Sequence, residues 1–212
     1  MGIIERKRRD RQRRIKEILD GARDIFNLKG FRDSTMNDIA DMSNLSRRTL
    51  YLYFHNKEEI LLTIAVNTLH KLVDEVKKEI SPTDSGLDKV MTIAGKYRDL
   101  FLMDSASFQF IPNFTSCVQS LGKEDETVIS CERTVQQISG IVEQYLIEGM
   151  HDKSIRKFEN SSKIATILIS MMHSFIQSVD TDNDLLRIAL HIDPTEFINE
   201  SLKAMYHFLS TE

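Results

Sequence analysis

Apolar residues recur at helical spacing along almost the whole chain, and this spacing limits the fold more than any other feature. Between Ile15 and Phe26 they fall three or four positions apart, as on one face of an amphipathic helix. Only 8 Gly and 3 Pro occur in 212 residues, fewer turn formers than an all-β chain of this length needs. With 41% hydrophobic residues the chain can bury a core. We therefore expect an all-α fold.

Capping signals divide the first 57 residues into three helices. The first helix ends near Gly30, where a residue with positive φ is expected. Thr35 and Asp38 form a capping-box pattern for a short second helix, and Ser46 can cap a third helix over Arg47–Phe54. Two short helices joined by a tight turn and preceded by a third are the pattern of a helix-turn-helix.

A long helix follows and leads into a larger helical region. Asn56 and Glu59 repeat the capping pattern, and the helix that they open runs to about Glu79. Five more helices are expected after the break at Ser81-Pro82. They are one from Ser85 to about Met103, a short Phe-rich helix ended near Pro112, and the segments Glu124–His151, Asn160–Val179 and Thr195–Leu209.

Charge is distributed unevenly along the chain. Residues 1–60 carry 14 Lys or Arg against 10 Asp or Glu, whereas residues 61–212 carry 14 against 22. Eight of the basic residues lie within residues 1–16, mostly in the segment Arg6–Arg14, which is expected to precede the first helix. A basic head on an acidic body is typical of a protein whose head binds a polyanion. Nucleic acid and an anionic membrane surface both fit this charge, and a solvated tail is the simplest alternative.

The first turn of the third helix carries side chains suited to reading DNA. Ser46–Thr49 places two guanidinium groups and two hydroxyls there, and Arg matches the O6 and N7 acceptors of guanine. Tyr51 and Tyr53 can offer hydroxyls to phosphates, while Thr35 and Lys57 lie at helix N-termini, where backbone N–H groups favour anions. Thr35 and Ser46 would also cap helices in a protein that binds no DNA, and Tyr51 can equally be partly buried.

In this region the chain resembles the TetR family of bacterial repressors. The resemblance covers about 50 residues and consists of Phe26, Lys29-Gly30-Phe31, Thr35, Asp38-Ile39-Ala40, Leu45-Ser46, Thr49-Leu50-Tyr51, Phe54 and Lys57-Glu58. Asn44 stands where the family has a turn Gly, and Asn tolerates positive φ. The pair Arg47-Arg48 is more basic than the family's common pairing, so the operator sequence cannot be transferred from relatives.

The resemblance implies a homodimer that binds a palindromic double-stranded DNA operator and is released by a small effector. An activator of the same architecture would have the same sequence pattern. The residues that the resemblance places against DNA are Thr35, Ser46, Arg47, Arg48, Thr49, Tyr51, Tyr53 and Lys57. We divide the chain into a DNA-binding domain, residues 1–56, and an effector-binding and dimerisation domain, residues 57–212.

The effector-binding domain contains clustered aromatic and Met residues. Such side chains suit a bulky apolar effector, for example a lipid, an acyl thioester or a drug, and an ordinary core is the alternative explanation. The predicted pocket consists of Tyr97, Phe101, Phe108, Phe110, Phe114, Met171, Met172 and Phe175. The family pairs its last two long helices between subunits, and here Asn160–Val179 is apolar around most of its circumference, as such an interface requires.

Other functional classes find little support in the sequence. The common hydrolase, nucleotide-binding and zinc-protease motifs do not occur, so an enzyme is not expected; the weaker alternatives are a helical enzyme and a membrane-surface protein anchored by Arg6–Lys16. The six His lack metal-ligand spacing, and no cofactor is expected. Cys117 and Cys131 can be inert thiols or a redox pair. Because no secretory signal or membrane span is recognised, a cytoplasmic location is expected.

Overall fold

Helices account for almost all of the regular structure. The computed structural model describes residues 2–180, 191 and 193–211, and over these residues the only β pairing is an isolated antiparallel bridge between Ile155 and Ser210. The helices are α1 (Ile3–Asp33), α2 (Met36–Met42), α3 (Arg47–Leu50), α4 (Lys57–Glu79), α5 (Gly86–Met103), α6 (Phe110–Leu121), α7 (Glu126–Asp152), α8 (Ser161–Asp180) and α9 (Pro194–Leu209), with a 3-10 turn at Ser105–Phe108. The expected all-α fold is confirmed. Within the described ranges, no helix combines the length and apolar character that crossing a bilayer requires.

The chain forms two compact units that are interleaved along the sequence. The first unit contains the chain up to Thr68 together with Asp104–Glu132, and the second contains Leu69–Met103 together with the chain from Arg133 onward. Helices α4 and α7 each begin in the first unit and continue in the second. These units are defined by packing, so the functional division after residue 56 stays a prediction.

The first unit is built around α1, with α2 packed on α1 and α3 on α2. Gly30 interrupts α1 with a φ of 76°, a conformation that costs a glycine little. The chain therefore turns back, and the Phe31 ring meets the Phe26 ring edge to face, with centroids 5.4 Å apart. Ile39 of α2 and Leu50 of α3 are fully buried. These contacts place α3 on the outside of a three-helix core.

Helix α1 begins at Ile3, so the prediction that Arg6–Arg14 precedes the first helix is wrong. Arg, Lys, Glu and Gln all have high helix propensity. Ion pairs one turn apart also join Arg13 to Asp10 and to Glu17. A polar helix stabilised in this way has no apolar face, so apolar spacing cannot show where it starts.

The ends of two other helices differ from the prediction by four residues or more. Helix α3 covers Arg47–Leu50 and not Arg47–Phe54, because the N–H groups of Leu52 and Tyr53 bond three residues back and tighten the chain into a turn. Pro112 lies in the first turn of α6, so the prediction that a helix ends near it is wrong. A proline is tolerated there because first-turn N–H groups have no partner inside the helix.

In the second unit, α5 and α7 approach each other backbone to backbone. A Cβ added at Gly86 would overlap the backbone of Gly149. The Gly86 N–H donates to the Asp152 carboxylate at 2.7 Å, and the Leu87 N–H donates to the Ser154 hydroxyl at 3.1 Å. Side chains at and just after the end of α7 thus satisfy the free N–H groups at the start of α5.

Candidate nucleic-acid interface and effector region

Thr35 caps α2 through the capping box that its spacing from Asp38 predicts. The Asp38 N–H donates to the Thr35 hydroxyl at 3.2 Å, and the Thr35 N–H donates to the Asp38 carboxylate at 2.8 Å. Lys29 pairs with the same carboxylate at 2.6 Å. The hydrogen bonds from Lys29 and Thr35 lower the pKa of Asp38 to about 2, so this carboxylate is charged at neutral pH.

A tight turn presents α3 at the surface of the first unit. Asn44 has a φ of 54°, the left-handed conformation expected at this turn. The Thr49 N–H donates to the Ser46 hydroxyl at 3.1 Å, and the two hydroxyls lie 2.8 Å apart. Ser46 is therefore the helix cap that the sequence predicted. A DNA contact by either hydroxyl stays a prediction.

The two arginines of α3 are both exposed, but their surroundings differ. The Arg47 guanidinium lies over the Tyr51 ring, 5.5 Å from its centroid, and 3.5 Å from the Tyr51 hydroxyl. Among the described residues, no carboxylate pairs with Arg47 or Arg48. Tyr51 is 39% exposed, so Arg47 stacks on this ring at the protein surface. The Arg48 side chain is the more available of the two for a base edge.

Lys57 is engaged with the protein itself. Its ammonium donates to the carbonyl oxygens of Phe31, Arg32 and Ser34 at 2.9, 2.8 and 2.8 Å. It also lies 4.7 Å from the centroid of the Phe31 ring. An ammonium has three donors, and all three are used here. Lys57 thus holds the end of α1 to the start of α4, and a phosphate contact would require one of these bonds to break.

A segment distant in the sequence also belongs to the first unit. The Gln109 side chain accepts from the Phe31 N–H at 2.9 Å and donates to the Phe26 carbonyl at 3.1 Å. Arg23 pairs with Asp104 at 3.0 Å. These contacts join residues about 80 positions apart, and polar side chains in a short turn produce no periodic pattern. Sequence reasoning therefore missed them.

The eight residues of the predicted effector pocket are divided between the two units. Phe108, Phe110 and Phe114 belong to the first, and Tyr97, Phe101, Met171, Met172 and Phe175 belong to the second. In the second unit the Tyr97 hydroxyl lies 3.5 Å from Nδ1 of His173, which joins α5 to α8. Burial raises the pKa of the Tyr97 phenol, so the hydroxyl keeps its proton. A single pocket lined by all eight stays a prediction.

The described part of the second unit includes two cavities that are not lined by the predicted pocket residues. The larger, about 960 Å³, lies beside the α4–α5 connection and the ends of α7 and α9. Its wall includes Lys89 and Glu148, which pair at 2.8 Å; this pairing raises the pKa of Lys89 and lowers the pKa of Glu148. The other, about 860 Å³, lies between α5 and α9, with Arg98 and Tyr206 in its wall.

The two cysteines are buried free thiols. Burial raises the pKa of Cys117 to about 12 and that of Cys131 to about 11. A neutral thiol is a weak nucleophile, so this environment favours inert side chains over a redox pair. Across residues 2–180, 191 and 193–211, no three His, Cys, Asp or Glu side chains are placed to hold a metal ion.

The first unit therefore has the architecture of a helix-turn-helix DNA-binding domain of the kind found in transcription regulators. Residues 18–64 match the family model described as "Bacterial regulatory proteins, tetR family". Residues 18–64 thus carry the tetR-family pattern, and the resemblance inferred from the sequence is confirmed.

Two transcription regulators match a longer stretch of the chain than the family model does. The chain is 26% identical over 88 residues to the fatty acid metabolism regulator protein of Bacillus subtilis, covering 42% of this chain and 45% of that protein. It is 25% identical over 101 residues to the transcriptional activator FasR of Mycolicibacterium smegmatis, covering 48% of this chain and 46% of FasR. These matches thus span less than half of either relative.

A solved structure shares the fold over nearly the full length of both chains. The transcriptional regulator FadR from Bacillus subtilis, in complex with stearoyl-CoA, superposes with a TM-score of 0.66 at 16% identity. The superposition covers 91% of this chain and 98% of that one. At this level of identity the similarity establishes the fold, and the ligand is a property of that protein.

Proposed function

We propose that the protein is a ligand-responsive transcriptional repressor that binds a palindromic operator as a homodimer. The observation that carries the proposal is the exposed basic face of α3, which a capped helix-turn-helix presents beside the turn at Asn44. Arg48 is exposed there and pairs with no carboxylate in the described part of the chain. A free guanidinium at the start of a recognition helix suits the acceptor edge of guanine.

The homodimer is proposed to form through α8 and α9. Ala165, Leu168 and Met172 are buried along one side of α8. Ile167, on the opposite side of the same helix, is 46% exposed, and Phe208 of α9 is 40% exposed. Exposed apolar side chains on the last two helices suit a two-fold interface, and a two-fold dimer reads a palindrome.

The proposed effector is a long-chain acyl thioester. Similar proteins support this choice: one relative is named for fatty acid metabolism, and one structure of the same fold was solved with stearoyl-CoA. In this chain the apolar residues Phe101 and Met172 are buried in the second unit, together with the Tyr97–His173 pair as a polar group. An apolar lining with a few polar groups is typical of a ligand site.

Helix α4 is proposed to carry the response, because it runs unbroken from the first unit into the second. A ligand that binds the DNA-free arrangement better than the DNA-bound one lowers operator affinity by that difference, typically about 1–3 kcal/mol. Release of the protein by a ligand switches a gene on only if the bound protein blocks transcription. We therefore propose a repressor. Activation is the second candidate, because FasR is named an activator.

The test begins with selection of duplexes from a randomised library by the full-length protein, followed by anisotropy titrations on the selected duplex. We expect a palindromic consensus, binding by two subunits, and weaker binding in stearoyl-CoA than in free coenzyme A. Phe101→Ala should lose the response to stearoyl-CoA and keep DNA binding. If no consensus is selected, the proposed function as a DNA-binding regulator is refuted. If a consensus is selected but stearoyl-CoA has no effect on binding, only the proposed effector is refuted.

A further inference from the structure

The N-terminal part of α1 projects beyond the core of the first unit as an exposed, strongly basic helix. All side chains described between Ile4 and Arg13 are exposed, and burial along α1 becomes continuous only near Ile18. Residues 3–16 carry eight Lys or Arg against two acidic residues. At about 1.5 Å per residue this stretch is roughly 20 Å long. This stretch therefore lies outside the described core of the first unit.

The basic residues of this extension are arranged in stripes. Lys7, Arg11 and Arg14 follow one another at spacings of four and three, and the same spacing continues into the buried Ile18 and Ala22. We call Lys7, Arg11 and Arg14 the inner basic stripe, because it continues the core-facing side of α1. Within the described residues, no carboxylate pairs with the Lys7 or Arg11 side chain.

One contact connects the inner basic stripe to the recognition region. The Arg11 guanidinium lies over the Tyr53 ring, 5.8 Å from its centroid. Tyr53 is the last residue of the turn that follows α3, and it belongs to the first unit like α1 itself. The stripe and the recognition region therefore lie on the same side of the first unit.

We propose, on the basis of the DNA-binding function proposed above, that Lys7 and Arg11 of the inner basic stripe bind DNA phosphates outside the base pairs read by α3. An intact helix about 10–12 Å across does not fit a minor groove about 6 Å wide, so the helix lies along the backbone. Lys7 and Arg11 then act as point contacts to phosphate, and stacking on Tyr53 fixes the direction of Arg11. These contacts increase affinity for every sequence alike and carry no base preference.

A membrane surface is the other polyanion that a basic helix can bind. Helices that lie on membranes insert a broad apolar face, and between positions 4 and 13 the only apolar residue is Ile4. The contact with Tyr53 also ties the stripe to the DNA-reading side of the unit. The charge and the position of the stripe both favour nucleic acid.

The test compares two double variants that remove equal charge from opposite sides of one helix. Lys7→Gln with Arg11→Gln neutralises the inner basic stripe, and Arg6→Gln with Arg9→Gln neutralises residues about half a turn away. The measurement is the affinity of the full-length protein for the duplex selected by the wild type, at salt concentrations from 50 to 200 mM. Helix content and melting temperature are recorded for both variants.

The inner variant should lower the slope of log affinity against log salt by about 1.8, from two phosphate contacts at about 0.9 each. The ratio of wild-type to variant affinity should then be about 12-fold smaller at 200 mM salt than at 50 mM salt. The base preference should be unchanged. The outer variant should change the slope by less than half as much. Phosphate ethylation should interfere with wild-type binding outside the half-site and lose this effect in the inner variant.

Equal slopes for the two variants would overturn the proposal, because general charge would then account for the effect. An unchanged slope in the inner variant, combined with loss of flotation on phosphatidylglycerol vesicles, would reassign the stripe to membranes and also overturn it. If the wild type selects no duplex, the regulator and the stripe fail together; if it selects one and the stripe variants bind it normally, only the stripe fails.

Discussion

Arg48 and Lys57 are two basic residues that the sequence analysis predicts to contact DNA. Their surroundings in the structure differ. Arg48 is exposed, and none of the described carboxylates pairs with it, whereas the Lys57 ammonium is bound by three carbonyl oxygens. Lys57 has no hydrogen-bond donor left for DNA, because an ammonium has three N–H donors and all three are occupied. Replacing Arg48 is therefore expected to affect DNA binding, whereas replacing Lys57 is expected to affect stability.

Replacing Arg48 with Ala should change specificity more than stability. Loss of one bidentate contact to guanine costs about 1–3 kcal/mol of binding and relaxes the preference at one position in each half-site. Binding profiles across a randomised operator library measure both effects. Arg133→Ala, an exposed arginine on α7, is the matched control. Uniform weakening with an unchanged profile would show that Arg48 contacts phosphate.

Replacing Lys57 with Met should act first on stability. The change removes three charge-assisted hydrogen bonds at the end of α1, and because water can reach part of this site we expect a loss of about 1–3 kcal/mol in the free energy of unfolding. Denaturant titration measures the loss, with Lys77→Met, an exposed lysine of the same helix, as the control. Unchanged stability with a salt slope lowered by about 0.9 would instead identify Lys57 as a phosphate contact.

At the scale of elements, the close packing of α5 on α7 depends on glycine. A Cβ at Gly86 would overlap the backbone of Gly149, and one at Gly149 would overlap the Ile155 side chain. Gly95 and Gly140 lie within α5 and α7, and a Cβ at either would meet no described atom within 4 Å. The same substitution is therefore expected to have opposite effects at the two kinds of position.

Gly86→Ala should destabilise the protein by about 1–3 kcal/mol, because backbone atoms cannot move aside as a flexible side chain can. Gly95→Ala should stabilise it by about 0.5–1 kcal/mol, since a helical glycine is less favourable than alanine where space is open. Chemical denaturation of both variants beside the wild type measures the two effects. A neutral Gly86→Ala would mean that α5 and α7 can separate at this point.

At the scale of the whole molecule, the proposed dimer predicts a difference between two exposed isoleucines. Ile167 on α8 is 46% exposed and Ile147 on α7 is 50% exposed, so a charge at either position costs the monomer little. Ile167→Glu should shift the protein to monomer and weaken operator binding, because a buried unpaired carboxylate opposes association. Light scattering with size-exclusion chromatography measures the mass, and Ile147→Glu should remain a dimer. A dimeric Ile167→Glu protein would exclude α8 from the interface.

The sequence by itself determined the features that arise from interactions between residues close together in the chain. The capping box of Thr35 and Asp38, the left-handed Asn44 and the cap at Ser46 are interactions within a few residues. Helical spacing depends only on the period of the helix, and it placed α4 at its observed bounds. The tetR-family domain is read from the same local pattern, so the sequence was sufficient to identify it.

Only the tertiary structure decided which distant groups meet. Lys57 reaches carbonyl oxygens 23 to 26 positions earlier, and Gln109 reaches α1 across about 80 positions. The start of α1 at Ile3 and the continuation of α6 past Pro112 also escaped the pattern. Ion pairs stabilise the first without apolar spacing, and the second is tolerated because a first-turn N–H has no partner inside the helix for a proline to remove. Periodicity reports which face of a helix is buried; what covers that face depends on how the chain packs.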